Sequence, residues 1–161
     1  MTNSGKAMLQ TDETQLQTST IGLACDHAGF PLMQTVIRHL ESLGIPYKNY
    51  GTLVNERCDY ADFAHRLGDA IDNGTINRGI AICGSGEGIG MTLNHHPKVR
   101  AALCWRLEIC ALSRMHNDAN VLVMPGRFIS ELEANALIDC FLNTPFEGGR
   151  HIPRIQKIPL Q

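Results

Sequence analysis

The chain has 161 residues, of which 43% are hydrophobic and 19% charged, a balance that suits one folded domain and excludes an extended disordered chain. The formal net charge is −2 with no basic stripe, which argues against nucleic acid as a partner. No apolar run approaches the length that crosses a bilayer, so no membrane partner is expected either.

Residues 1–19 are polar, rich in Thr and Gln, and lack the apolar middle of a signal peptide; they are expected to be a flexible leader ahead of a single domain over 20–161. Residues 19–25 end in an apolar run that predicts a buried strand, and 26–29 a loop. Pro31 suits a first helical turn, and Leu32, Val36, Ile37, Leu40 and Leu43 recur at helical spacing up to a stop at Gly44. A weak strand pattern covers 45–50. A helix is predicted over 60–71, a short apolar strand over 79–83, then a glycine loop and a helix reaching about Asn94. Residues 99–104 read as a strand, 107–113 as a helix and 120–124 as the last strand. Ser130 and Glu133 form a capping box for a closing helix through Phe141. Strands and helices alternate about five times, so the expected fold class is α/β: a single Rossmann-like, three-layer domain with a mostly parallel, about five-stranded sheet. Ligands in such sheets bind beyond the C-terminal strand ends. The six cysteines include no C-x-x-C pair, and a domain of this size needs no disulfides, which points to reduced thiols and a cytoplasmic location.

Chemistry concentrates in four clusters. In residues 80–90, Gly84, Gly86, Gly88 and Gly90 alternate with other residues directly after a strand and before a helix, a candidate anion nest of backbone amides. A Walker loop would need a terminal Gly-Lys-Ser/Thr, and a dinucleotide fingerprint a third glycine that the spacing lacks. The other reading is a tight turn with no ligand. Cys83 lies at the mouth of the nest, where a thiolate is favoured by helix-start amides and would be placed to remove a carbon-bound proton; a strand-end cysteine is otherwise a core residue. Asp26 and His27 end the first strand and suit a sugar hydroxyl and a phosphate, or else an N-cap and a surface histidine. A third, polar cluster over 113–120 is read as a loop holding His116. In the fourth, over 146–154, Arg150 and Arg154 offer planar donor forks for a phosphate, or form a solvated basic tail. His95 and His96 are adjacent and diverge, and no metal-site spacing exists, so neither metal nor other cofactor is expected.

The motifs Cys-Asp-His-Ala-Gly-Phe (25–30), Cys-Asp-Tyr (58–60), Ile-Cys-Gly-Ser-Gly (82–86), Arg-Ala-Ala-Leu-Cys (100–104), Ser-Arg-Met-His-Asn-Asp-Ala-Asn (113–120) and Glu-Gly-Gly-Arg-His-Ile-Pro-Arg (147–154) together resemble the ribose-5-phosphate isomerase B family, which is grouped with galactose-6-phosphate isomerase subunits. The resemblance runs from about Thr20 to Ile158. It implies an aldose–ketose isomerase acting through an enediolate, with Cys83 as the base, Ser85 as the hydroxyl residue beside it and the amides of residues 84–90 as the oxyanion hole. It further implies Asp26 and Tyr60 as substrate contacts and His116 as the ring-opening residue. Asn117 would contact the reacting end, and His27, Arg127, Arg150 and Arg154 would bind the phosphate. The His116 and arginine group would come from a neighbouring subunit, making a homodimer the minimum assembly, with dimer and tetramer both open. Some relatives use a glutamate base at the place of Ile89; Glu87 does not correspond to it. Ala61 replaces a proline usual after Asp-Tyr, His95 a common lysine, and residues 103–108 depart from the commonest form, so the sugar stays open: ribose 5-phosphate leads, with allose 6-phosphate or a tetrose phosphate as alternatives, and a non-catalytic sugar-phosphate sensor as another.

Overall fold

The computed structural model describes residues 19–160, so the expected leader, apart from Ser19, lies outside the described residues. The elements are β1 Ile21–Cys25, α1 Phe30–Ser42, β2 Tyr47–Asn49, α2 Tyr60–Asp72, β3 Arg78–Cys83, α3 Glu87–Leu93, β4 Ala101–Leu103, α4 Leu107–Asn117, β5 Val121–Pro125, α5 Glu131–Asn143, a 3-10 turn Gly149–His151 and α6 Ile152–Ile155. The five strands are ordered β2-β1-β3-β5-β4, and every pairing is parallel. The α/β three-layer architecture is the one expected, with a wholly rather than mostly parallel sheet.

Central strands of a parallel sheet are covered on both faces and read as continuous apolar runs, which is the pattern of β1, β3 and β5. Their alternation still sorts the faces. Leu23, Ile80, Ile82, Leu122 and Met124 pack with α1 and α5 residues such as Met33, Val36, Ile138 and Phe141. Ala24, Ala81, Cys83, Val121 and Val123 pack with Leu67 and Ile71 of α2 and Ile89 and Leu93 of α3. The side chain of Cys83 therefore belongs to the α2/α3 face.

Several boundaries differ from expectation. The strand read over 99–104 shortens to Ala101–Leu103, because Asn94 pairs with both the N–H and the C=O of Ala101 and takes over that end. The helix read over 107–113 continues to Asn117. The segment over 146–154, for which no regular element was expected, contains a 3-10 turn and the start of a short helix.

Candidate active site

At the C-terminal edge of the sheet, Cys83 ends β3, the central strand, with β1 on one side and β5 on the other. Register sets Cys25 beside Ile82 and Cys83 beside Pro125, so the strand-end clusters at 25–27 and 83–90 are neighbours. After Cys83 the chain turns through Gly86, whose φ of 79° is left-handed and suits glycine, and enters α3. A helix start carries amides without intrahelical acceptors; Ser85 Oγ accepts one of them, from Glu87, at 3.3 Å. The Tyr60 ring lies so close to Gly88 that any side chain there would overlap it, which fixes the tyrosine against the loop. From the other side, Gly126 N–H donates to Cys83 O at 2.9 Å and Arg127 N–H to Gly84 O at 3.0 Å. The Arg127 guanidinium then lies across Gly84, 3.5 Å from where a Cβ would stand.

Asp26 is buried and its Oδ1 accepts from Gly29 N–H at 3.0 Å, so one oxygen shapes the turn into α1. His27 Nδ1 lies between the N–H and C=O of Cys58, at 3.3 and 3.2 Å, with the tautomer deciding which it uses. Asp26 thus shapes the turn without being the N-cap of α1, which is Gly29, and His27 is half-buried against Cys58 rather than a free surface histidine. Burial pushes the Cys25 thiol up to about 12, with Asp26 and Cys58 adding to it.

His116, Asn117, Arg150 and Arg154 gather elsewhere. His116 sits in the last turn of α4, not in a loop. A lock holds that helix end: buried Arg114 pairs with Asp118 at 2.8 Å and donates to Ala119 O at 2.6 Å, while Asp118 closes the helix in a left-handed conformation and meets Arg100 at 3.2 Å. The polar run 113–120 therefore divides between Arg114, Asp118 and Asn120, which are structural, and His116 and Asn117, which face outward. The His116 ring stacks on buried His151, with centroids 4.4 Å apart and 15° between planes. Glu147 is tied to the same helix turn by its N–H to Met115 O at 3.0 Å. Arg150 and Arg154 follow at once, exposed, and among the described residues neither they nor Arg127 pair with a carboxylate.

The two groups occupy opposite edges of one sheet. His116 precedes the start of β5 at Val121, whereas Cys83 lies beside its end at Pro125; the strand alone separates them by about 13 Å at roughly 3.3 Å per residue. Within one chain they cannot meet on a small sugar. Enclosed space also lies away from Cys83: a cavity of about 310 Å³ is lined by Asn94, His96, Val99, Arg100 and Ile158 among others. The shelf at Cys83, with Ser85 and Tyr60 exposed, lacks a second wall. Two side-chain clusters escaped the sequence reading, His116–Glu147–His151 and Asp69–Asp72–His96. In each, two members are close in sequence, Glu147 with His151 and Asp69 with Asp72, but the third, His116 or His96, comes from a distant segment, so local spacing alone does not complete either set. Among the described residues, no helix is long and apolar enough to cross a membrane.

Comparison with known proteins identifies the family. The family model Ribose/Galactose Isomerase matches residues 21–158. Ribose-5-phosphate isomerase B of Escherichia coli (strain K12) is 37% identical over 138 residues, covering 86% of this chain and 93% of the relative. A probable ribose-5-phosphate isomerase B of Mycoplasma pneumoniae is 39% identical, covering 86% and 91%. Among solved structures, a ribose 5-phosphate isomerase from Thermotoga maritima superposes with a TM-score of 0.85 at 41% identity, covering 87% of this chain and 97% of that one. The Mycoplasma genitalium ribose-5-phosphate isomerase B with bound ribulose-5-phosphate does so with a TM-score of 0.84 at 36% identity, covering 88% and 95%. The chain is an isomerase and belongs to the ribose/galactose isomerase family, the one that ribose-5-phosphate isomerase B represents among its relatives.

Proposed function

We propose that the chain interconverts ribose 5-phosphate and ribulose 5-phosphate, in the cytoplasm, in a homodimer whose sites each draw on both subunits. The observation that carries this reading is Cys83 at the end of the central strand, 4% exposed and directly before the glycine turn, with Tyr60 against Gly88 and Arg127 against Gly84. In the open-chain aldose, the Cys83 thiolate takes the proton from C2. The C1–C2 double bond forms as the carbonyl electrons move onto O1, and loop amides meet that oxyanion. The proton between O2 and O1 is exchanged beside Ser85, and Cys83 returns its proton to C1. Asp26 and Tyr60 hold sugar hydroxyls.

His116 of a second copy opens the furanose by removing the O1 proton while the ring oxygen is protonated, and Asn117 beside it holds the reacting end. His27 and Arg127 with Arg150 and Arg154 of the second copy bind the phosphate. The edge-to-edge separation of Cys83 and His116 supports the shared site. So does α4, whose exposed Ile109 and Leu112 recur on one helix face with His116; an apolar stripe of this kind favours burial against a partner. The six free cysteines accord with a reducing compartment. The test is turnover by the purified protein on ribose 5-phosphate, allose 6-phosphate and a tetrose phosphate. Ribose 5-phosphate is expected to react fastest; preference for another sugar would overturn the substrate, and binding without turnover on any would favour the sensor.

A further inference from the structure

We propose that His116, Glu147 and His151 form a binding site for a divalent transition metal of the zinc class, and that metal held there inhibits the isomerase by occupying His116. The inhibitory half rests on the ring-opening role proposed above; the binding half does not. His151 Nε2 is buried and makes no hydrogen bond, in a side chain 5% exposed. A buried ring nitrogen in that state is costly and uncommon, and a metal would give its lone pair a partner. Glu147 Oε2 lies 3.4 Å from His151 Nε2 and 3.9 Å from His116 Nε2, so both rings converge on one carboxylate oxygen. Zinc bonds to imidazole and carboxylate put the ligand atoms of a tetrahedral site about 3.3 Å apart. The His151–Glu147 pair already has that spacing, whereas His116, the more exposed ring, has to turn out of its stack on His151 to join it, because rings 15° from parallel with centroids 4.4 Å apart cannot both aim an in-plane lone pair at one ion. Two imidazoles and one carboxylate suit zinc, copper or nickel rather than magnesium or calcium, which prefer all-oxygen sets. Three protein ligands leave a fourth position for water.

The second cluster is a weaker candidate. Both nitrogens of His96 are already engaged, Nδ1 with Asp72 at 2.8 Å and Nε2 with His65 at 2.9 Å, and a metal would have to break those bonds.

The test uses the full chain, freed of metal by chelation. Cobalt(II) titration is expected to give visible ligand-field bands with no thiolate-to-cobalt band, in wild type and in Cys83→Ala alike. Zinc is expected to inhibit ribose 5-phosphate turnover and a chelator to restore it fully. Glu147→Gln and His151→Gln should each weaken metal binding and inhibition about 10-fold or more, since losing a ligand costs at least as much as losing an outer partner. Because His151 is buried, Glu147→Gln, at an exposed carboxylate and checked by its circular dichroism melt, decides alone where the His151 variant fails to fold. A thiolate band that vanishes in Cys83→Ala, or unaltered affinity in Glu147→Gln, overturns the site. Metal binding at this site with full turnover overturns the inhibitory half and removes His116 from ring opening, while the site stands.

Discussion

Cys25 and Cys83 end neighbouring strands, one position out of register, so the pleat sends them to opposite faces: Cys25 sides with Ile82, Cys83 with Ala81. Both thiols are buried, at 0% and 4% exposure, and that single step puts Cys25 on the α1/α5 face and Cys83 on the α2/α3 face, at the start of the glycine loop. Burial, with Asp26 and Cys58 beside it, pushes Cys25 up to about 12, so it stays protonated and inert at neutral pH. Cys110 is pushed up as well, by its hydrogen bond with Cys104 and by burial. Brief treatment of the folded protein with iodoacetamide at pH 7, followed by peptide mapping, is expected to leave both unlabelled; label at either would show that the core opens. Replacing the other thiol reads the chemistry directly. Cys83→Ala is expected to lower kcat by about 100-fold or more, the usual scale for a lost general base, with little change in KM. Turnover near that of the wild type would move the base elsewhere.

At the scale of elements, two helix ends show how local and distant contacts differ in strength and in legibility. Ser130 and Glu133 make a reciprocal capping box at the start of α5, at 2.7 Å and 3.2 Å, readable from four residues of sequence. Ser130→Ala is expected to cost about 1 kcal/mol in a denaturant melt. The backbone N–H and then the hydroxyl of Ser130 hold the Glu133 carboxyl below its usual 4.5. A carboxyl depressed in the fold stabilises above its unfolded value and loses that contribution as pH falls through the folded one. The gap between wild type and Ser130→Ala should therefore narrow below pH 4.5; a gap that is constant down to full protonation would mean the hydroxyl acts alone. The end of α4 is held differently, by Arg114 reaching Asp118, Ala119 and, at 3.3 Å, Thr144. Arg114→Ala removes a buried cation and leaves its partners on Asp118, Ala119 and Thr144 without it, and should cost about 3 kcal/mol, well above the cap. Periodicity ended that helix too early because Arg114 and Asn117 look like loop residues until Asp118 and Thr144 are known to surround them. The same limit hid the stacking of His116 on His151, since the 34 intervening positions carry no pattern that joins them. The buried runs of β1, β3 and β5, the stop at Gly44, and the loop after Cys83 were legible because each is written in adjacent residues.

For the whole molecule, the parallel sheet itself sets the test. Cys83 stands at the C-terminal edge and His116 at the N-terminal edge, so a site needing both must join two copies. Two-fold symmetry brings the same patches together twice and yields two equivalent composite sites. Consider Cys83→Ala and His116→Ala proteins, each strongly impaired on ribose 5-phosphate when alone. In a mixed dimer one site collects both lesions and the other collects neither. Equal random mixing makes half the dimers mixed, each with one intact site, so roughly a quarter of wild-type sites should return. Subunits must exchange for this, by co-expression or joint refolding, and differently tagged copies allow the mixed dimer to be isolated. In the isolated mixed dimer the recovery should rise to about half of the wild-type sites. Verified mixed dimers without recovery would place Cys83 and His116 in the same subunit's site, against the separation along β5, and would end the shared-site reading.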